Sequence, residues 1–257
     1  RPTHNHASND VAWPSIQLLC SDPSITMYVM DKALTKRVRG WTMPSSETHY
    51  PEQFEGPNGH KYQKTQRKVA FRFCQRRGVA IDIGANIGLW GQRMCDHFDH
   101  VEMFEPDQLN RQCLVDNLTQ HSNYTIHPYG LYSESRSATL YGTANSCGDK
   151  SIHSTAGTVE TTCELRTLDE FEYPKVDFIK LDTQGSELEI LKGAVDTIKR
   201  CKPTVCVEIT PSVKEFQTAN DIASFFLSVG YVPVGGWKKD KIFVSKGKIL
   251  KPKRNRS

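Results

Sequence analysis

No apolar run in this 257-residue chain approaches the ~20 residues that an α-helix needs to cross a bilayer. The eight cysteines, at 20, 74, 95, 113, 147, 163, 201 and 206, include no C-x-x-C pair. That removes the common zinc and thioredoxin-like patterns. Histidines 4, 6, 49 and 60 have no metal-ligand spacing, so no metal centre is expected and turnover should survive a chelator. An apolar content of 37% with 24% charge predicts a packed core and excludes wholesale disorder. The length suits one large α/β domain preceded by an extension: residues 1–59, then a domain over 60–257. The chain opens on Arg1, which leaves a removed leader peptide open. Cys74, Cys95 and Cys113 fall in apolar helical patterns, where a thiol acts as a small hydrophobe. Reduced thiols inside a cell are the plainer expectation. Asn117-Leu-Thr and Asn123-Tyr-Thr are formal glycosylation sequons, a pattern that also arises by chance.

The most informative stretch is Val79 to Asp107. An apolar run, Val79 to Ile83, ends in Gly84-Ala85-Asn86-Ile87-Gly88; a helical segment follows, then a second apolar run, Val101 to Phe104, closing on Glu105. This is the first half of a nucleotide-binding sheet. A strand stops, a tight loop presents backbone N–H groups at a helix start, and an acid ends the next strand. A carboxylate there can accept both hydroxyls of an adenosine ribose.

Downstream, periodicity predicts helix 87–97, strand 101–105, helix 107–120 and strand 124–127. Residues 130–166 turn rich in Ser, Thr, Gly and Asn and read as an antiparallel excursion. Thr167-Leu-Asp-Glu170 is a capping-box pattern. Strand 176–182, a helix opening at Ser186 with Leu188, Leu191, Ala194, Val195 and Ile198 on one face, strand 204–209 and a helix over about 212–229 follow. The end reads as Tyr231–Val234, a turn at Gly235-Gly236, and Lys241–Val244. So short a turn makes that pair antiparallel. The expected fold is α/β: a Rossmann-like class I methyltransferase fold, with a seven-stranded, mostly parallel sheet closed by a C-terminal antiparallel hairpin and helices on both faces. Before it, Ile25–Val29 reads as a short strand and Pro51–Gly59 as a loop.

Two cofactors compete for the glycine turn. Asn86 occupies the middle glycine position of G-x-G-x-x-G, which compromises the close approach of backbone to a pyrophosphate. S-adenosylmethionine has no pyrophosphate. It needs a loop beneath its methionine moiety and an acid for its ribose, so it is favoured over a nicotinamide dinucleotide.

Several stretches together resemble the FkbM-type methyltransferases. They are Ile81-Asp-Ile-Gly-Ala-Asn-Ile-Gly88, Phe104-Glu-Pro-Asp107 followed by Leu114 and Asn117, and Thr167-Leu-Asp169. Ile179-Lys-Leu-Asp182 with Gly185, Glu187, Leu191, Gly193 and Ala194 follows, then Pro203 and Glu208. The resemblance spans roughly residues 79–209. It implies methyl transfer from S-adenosylmethionine, usually to a hydroxyl oxygen of a small molecule or glycan. One departure is Gln184, at a position that is usually Glu.

Methyl transfer from a sulfonium needs alignment and exclusion of water, and a hydroxyl acceptor gains from a nearby base. Asp182 ends the strand beside the cofactor strand, at the edge where ligands bind such sheets, and is the first candidate base. Lys180 lies two residues earlier on the same face and can orient it or stabilise an alkoxide; a structural ion pair is the alternative. Glu208 is a second possible base. Asp82, Gly84, Ala85, Asn86, Gly88, Glu105 and Asp182 form the expected cofactor set. Here Asp82 addresses the amino group, and Asn86 is also a residue that tolerates a left-handed turn. His127 and His153 are weaker candidate bases. Trp90 is expected in the core, and Trp41 and Trp237 lie in segments that can cover the acceptor site.

Net charge is +4, but its distribution matters more. Residues 61–77 carry Lys61, Lys64, Arg67, Lys68, Arg72, Arg76 and Arg77 with no acid. On a helix, Lys61, Lys64, Lys68, Arg72 and Arg76 share one face, with Tyr62, Gln66, Val69 and Phe73 on the adjacent one. A solvated face is the simple reading; a polyanion is the other. With the basic tail at 246–257, this motivates a rival function, a ribose methyltransferase acting on RNA. A non-catalytic domain that binds S-adenosylmethionine is a further alternative. Acceptor choice is expected to rest on residues 1–60 and 130–166.

Overall fold

The computed structural model describes residues 33–56, 59–143, 145–153, 159–209 and 218–248. The expected strand at 25–29, the first part of the helix expected from 212, and the tail beyond 248 lie outside the described residues.

Two small hairpins come first, β1 (Thr35–Val38) with β2 (Trp41–Pro44) and β3 (Phe54–Gly56) with β4 (Gly59–His60). Helix α1 (Lys64–Arg72) leads to β5 (Val79–Ile83), α2 (Leu89–Cys95), β6 (His100–Phe104), α3 (Gln108–Asn117) and β7 (Tyr124–His127). The excursion then forms its own three-stranded sheet, in the order β8 (Gly130–Leu131), β10 (Val159–Arg166), β9 (Arg136–Gly142). Finally come β11 (Phe178–Leu181), α4 (Glu187–Lys192), α5 (Val195–Cys201), β12 (Thr204–Glu208), α6 (Ala219–Ser228), β13 (Tyr231–Trp237) and β14 (Asp240–Ser245).

The main sheet has seven strands in the order β13-β14-β12-β11-β5-β6-β7. β5, β6, β7, β11 and β12 pair in parallel, and β14 runs antiparallel to both its neighbours. The expected class of fold is the observed one. All residues of β5, β11 and β12 are buried, which is why their sequences read as continuous runs without alternation.

Alternation persists in where each residue points. Ile81, Ile83, Ile179, Leu181, Val205 and Val207 pack with Ile190, Leu191, Ile198 and Phe226 of the helices on one face. Ala80, Phe178 and Cys206 pack with Phe71, Trp90, Met94 and Leu114 on the other. Phe178 is wedged against Phe71, Trp90 and Phe98, and truncating such a ring costs about 3–5 kcal/mol. Asp82, Lys180 and Cys206 therefore form a polar row on this second face, in direct register across β5, β11 and β12.

Residues 35–60 pack on the sheet domain. Trp41, Met43 and Phe54 join Ile87, Leu89, Cys113 and Cys147 in one cluster. The pin is Asn117. Its amide accepts from Thr42 N at 2.7 Å and donates to the carbonyls of Thr42 and Ile87, each at 2.8 Å. The Asn123 amide likewise donates to Cys95 O and Phe98 O, so both sequon nitrogens are committed inside the fold.

Three local expectations are corrected. The helix read as continuous from Ser186 is two helices, broken at Gly193-Ala194. A Cβ at Gly193 would lie 2.1 Å from Tyr132 O, so the chain must pass bare there. Asp169 completes the break by accepting from Asp196 N and Thr197 N at the start of α5. Thr167 begins only a single 3-10 turn, although its hydroxyl accepts from Glu170 N as a capping box requires. Gly235 and Gly236 are not the turn; they lie within β13, and the chain reverses at Lys238-Lys239. Their bareness lets Phe73 and the Asp240 backbone approach.

Candidate functional site

The cleft opens at the carboxyl ends of β5, β6 and β11, where strand order reverses between β5 and β11. One part is lined by Glu105, Asn110, Cys147, Lys150 and Gln184. A contiguous part, sharing Gly84, Asn86 and Asp182, is lined by Tyr50, Tyr62, Asp82, Trp90 and Lys180.

Gly84 turns at φ +80°, and a Cβ there would strike Asp182 O at 2.1 Å; the ends of β5 and β11 meet at this point. Asn86 adopts φ +52°, the left-handed geometry that Asn tolerates. Contrary to expectation, the N–H groups of Gly84, Ala85, Asn86 and Gly88 are not open. Gly84 N and Ala85 N donate to Phe104 O, Gly88 N to Ala85 O, and Asn86 N to Glu105 Oε2 at 2.7 Å. The reason is the adjacent end of β6, whose carbonyl and carboxylate satisfy these donors first.

Glu105 is 5% exposed and also accepts from Asp107 N at 2.9 Å. Each carboxylate oxygen keeps a second acceptor direction. Burial pushes its carboxyl up to about 7. Asp107 caps α3 through Asn110 N and pairs with Lys150 of the excursion at 2.5 Å. Asn110 Oδ1 and Asp82 Oδ2 are buried with no hydrogen-bond partner among the described residues, and both residues line the cleft. The site thus fits a ligand rich in hydroxyl and amino donors.

On the other side, Lys180 is fully buried. Its Nζ lies 3.4 Å from Asp182 Oδ2, 3.5 Å from Asp240 Oδ1, and over the Trp90 ring at 5.2 Å. Burial opposes the ammonium charge, but Asp182, Asp240 and Glu208 outweigh it and raise its pKa. Glu208 is pushed up to about 8 by burial, by the charge of Asp182 and by a hydrogen bond with it. Asp82 rises to about 7, chiefly by burial, against the pull of Lys180. Four carboxylates surround one lysine, a negative setting suited to a cationic ligand.

Sequence reasoning places Asp82, Gly84, Asn86, Glu105, Lys180 and Asp182 together, and the structure assembles them in one cleft. Ala85 also lines it, while Gly88 caps α2 and packs against Leu114. Glu208 reaches the cleft through Gln63, whose Nε2 donates to Glu208 Oε2 at 3.1 Å while its Oε1 accepts from Trp90 Nε1.

His127 stands apart, pairing with Glu102 at 2.7 Å and stacking on Phe104. His153 packs near Tyr132. Trp41 is no cover for the site: it is fully buried between Phe54 and His60. Trp237 is half exposed at the end of β13.

The sequence reading missed Tyr50, Tyr62, Gln63, Asn110, Cys147, Lys150 and Asp240. Only Asn110, three residues after the cap Asp107, carried a local signal. The Tyr50 and Tyr62 rings meet edge to face at 5.3 Å, and Tyr50 OH accepts from Asn86 Nδ2 at 3.2 Å. Buried Glu47 holds this wall by accepting from Cys147 N, His49 N and Tyr50 N. Those bonds outweigh burial and lower its pKa.

The methyltransferase FkbM domain matches residues 82–233, more than half of the chain. Among curated proteins, the chain is similar to the hexuronic acid methyltransferase AglP of Haloferax volcanii. The two are 31% identical over 142 residues, 52% of this chain and 57% of the relative. The chain thus spans a little over half the length of that relative. Among solved structures it is similar to a methyltransferase FkbM from Methylobacillus flagellatus KT, at 21% identity and TM-score 0.47, over 76% of this chain and 49% of that one. It is also similar to a SAM-dependent methyltransferase from Aquifex aeolicus, at 11% identity and TM-score 0.45, over 77% and 93% respectively.

Proposed function

The chain belongs to the methyltransferase FkbM family, and on that premise we propose that it is an O-methyltransferase acting on a sugar or glycan, with S-adenosylmethionine, the family's cofactor, as donor. The observation that carries this reading is the placing of Asp182 beside Lys180 and Glu208, directly across from the Gly84 turn. The Haloferax relative, a hexuronic acid methyltransferase, supports a sugar acceptor. The RNA reading gains no support from that relative.

When bound, S-adenosylmethionine supplies an electrophilic methyl group on a sulfonium. Glu105 would hold the ribose hydroxyls, Asp82 the amino group, and Gly84, Ala85, Asn86 and Gly88 the loop beneath the methionine moiety. Asn110 Oδ1 adds an acceptor on the Glu105 side.

Asp182 would take the proton of the acceptor hydroxyl and so leave its oxygen nucleophilic. Its side chain is 18% exposed, against 1% for Lys180, so the carboxylate is the more accessible of the two to an acceptor. Lys180 aligns Asp182, its Nζ 3.4 Å from Oδ2. Glu208, its carboxyl pushed up to about 8, hydrogen-bonds with Asp182. Tyr50 and Tyr62 form an aromatic wall with polar tips, suited to one face of a sugar ring.

Calorimetric titration with S-adenosylmethionine and S-adenosylhomocysteine, NAD serving as control, tests the cofactor assignment. A screen of neutral and uronic-acid oligosaccharides, read by mass, follows. Absence of binding by either sulfur ligand would sink the reading. A hexuronic acid offers both hydroxyl and carboxylate oxygens, and only the hydroxyl needs a base; alkali-stable product places the methyl on the hydroxyl.

A further inference from the structure

A second concavity lies on α1 and α2, outside the cofactor cleft. Lys64, Arg67, Lys68 and Arg72 of α1 line it together with Arg77 and Arg93. Glu55 is the one acid among the lining residues. Lys64, Lys68 and Arg72 are exposed, while Arg67 is only 6% exposed.

Five of these six cations are not neutralised by a carboxylate among the described residues. Among the described residues, Lys64, Arg67, Lys68, Arg72 and Arg77 make no salt bridge; Arg93 pairs with Asp96 at 2.9 Å. Arg67 spends its guanidinium on the carbonyl of Tyr62. Arg77 donates to Phe71 O at 2.9 Å, sits over the Phe71 and Phe98 rings, and keeps Nη1 buried without a partner. Burial, then the charge of Arg93, lowers the Arg67 pKa to about 10. The fold thus holds like charges together at a cost, and a solvated helix face does not account for buried Arg67 or for Nη1 of Arg77.

We propose that this concavity binds a polyanionic saccharide segment, one bearing repeated sulfate or carboxylate groups. The polyanion follows from the number and convergence of the cations, since a single oxyanion engages only two or three of them. Its saccharide nature rests on the reading of the acceptor above. The two sites are mechanically linked. Arg67 is one turn along α1 from Gln63, its N–H bonded to Gln63 O, and Gln63 touches both Trp90 and Glu208. A glycan chain anchored at the cations would load the first turn of α1, which walls the acceptor site through Tyr62.

The test is titration of the full chain with a sulfated hexasaccharide, its desulfated counterpart and a single-stranded RNA of equal charge. Wild type is compared with the triple variant Lys64→Glu/Lys68→Glu/Arg72→Glu. S-adenosylhomocysteine is titrated in parallel. The sulfated sugar is expected to bind wild type at low salt and to weaken more than about tenfold between 50 and 200 mM salt. In the variant it should weaken at least about tenfold, with homocysteine-ligand affinity unchanged. The desulfated sugar, chosen without carboxylates and so uncharged, should not bind, and the RNA should bind more weakly. Absence of binding by the sulfated sugar, equal binding by the variant, or RNA binding as tight or tighter would overturn the proposal. Failure of wild type to bind S-adenosylhomocysteine would instead refute the methyltransferase reading, so the two failures are separable.

Discussion

The side-chain amide of Gln184 donates to Asp182 Oδ1 at 3.0 Å, while Lys180 faces Oδ2 of the same carboxylate at 3.4 Å. Gln184 is held for this role at φ +55°, its own carbonyl fixed by Ser151 Oγ. The neutral residue at this family position therefore acts as a donor to the proposed base. Gln184→Glu replaces the donor with a second acid. The pair must then share a proton, which raises the pKa of the base. The acidic limb of the pH profile of kcat is expected to move up by about one unit or more, with KM for the cofactor little changed. An unmoved limb would show that the contact has no bearing on the base.

Asp182→Asn keeps the shape and removes the proton acceptor. Turnover on a hydroxyl acceptor is expected to fall about 10²–10⁴-fold, with cofactor affinity within a few-fold of wild type. Single-turnover kinetics with titration of the cofactor separate the two. An unaffected rate would point to a carboxylate oxygen as acceptor, which needs no base.

Glu105→Ala removes the ribose acceptor and orphans Asn86 N and Asp107 N. Each buried N–H left unpaired costs about 1–3 kcal/mol, so a lower melting temperature and at least about tenfold weaker cofactor binding are expected together. Glu105→Gln retains one acceptor oxygen and should lie between. Full cofactor affinity in the alanine variant would remove Glu105 from the site.

Asp82 and Glu105 are raised to about 7, and Glu208 to about 8, with burial the leading cause in each. All three are acids whose folded pKa lies above the unfolded one. The free domain therefore holds protons that the unfolded chain has released, and its stability falls as pH rises from about 4 to about 8. A cationic cofactor favours the ionised carboxylates, so its binding releases protons and tightens over the same upper range. The stabilisation by S-adenosylmethionine is expected to be larger at about pH 8 than at about pH 6. Thermal melts, with calorimetry in two buffers of different ionisation enthalpy, measure this; a pH-independent increment would contradict it.

The parts of this protein written into short stretches of sequence are those governed by local rules. Strand β5, the turn at Gly84–Gly88 and Glu105 were legible because a buried parallel strand, a left-handed turn and a strand-end acid each leave a mark within a few residues. Asp182, Lys180 and Glu208 were legible for the same reason, as polar residues ending apolar strands. Tyr50, Gln63, Cys147, Lys150 and Asp240 were not: each meets the cleft or a residue behind it from another hairpin, helix or loop, and no spacing along the chain encodes that meeting. The same holds where expectation and structure part. Gly193 breaks a helix that its periodicity supports because Tyr132 O passes there, and the loop N–H groups that read as open are taken by Phe104 O and Glu105. Hydrophobic period and turn chemistry determined the layers. Packing between distant segments alone decided which donors stayed free, which carboxylates share Lys180, and that the cations of α1 meet Arg77 and Arg93 in one concavity.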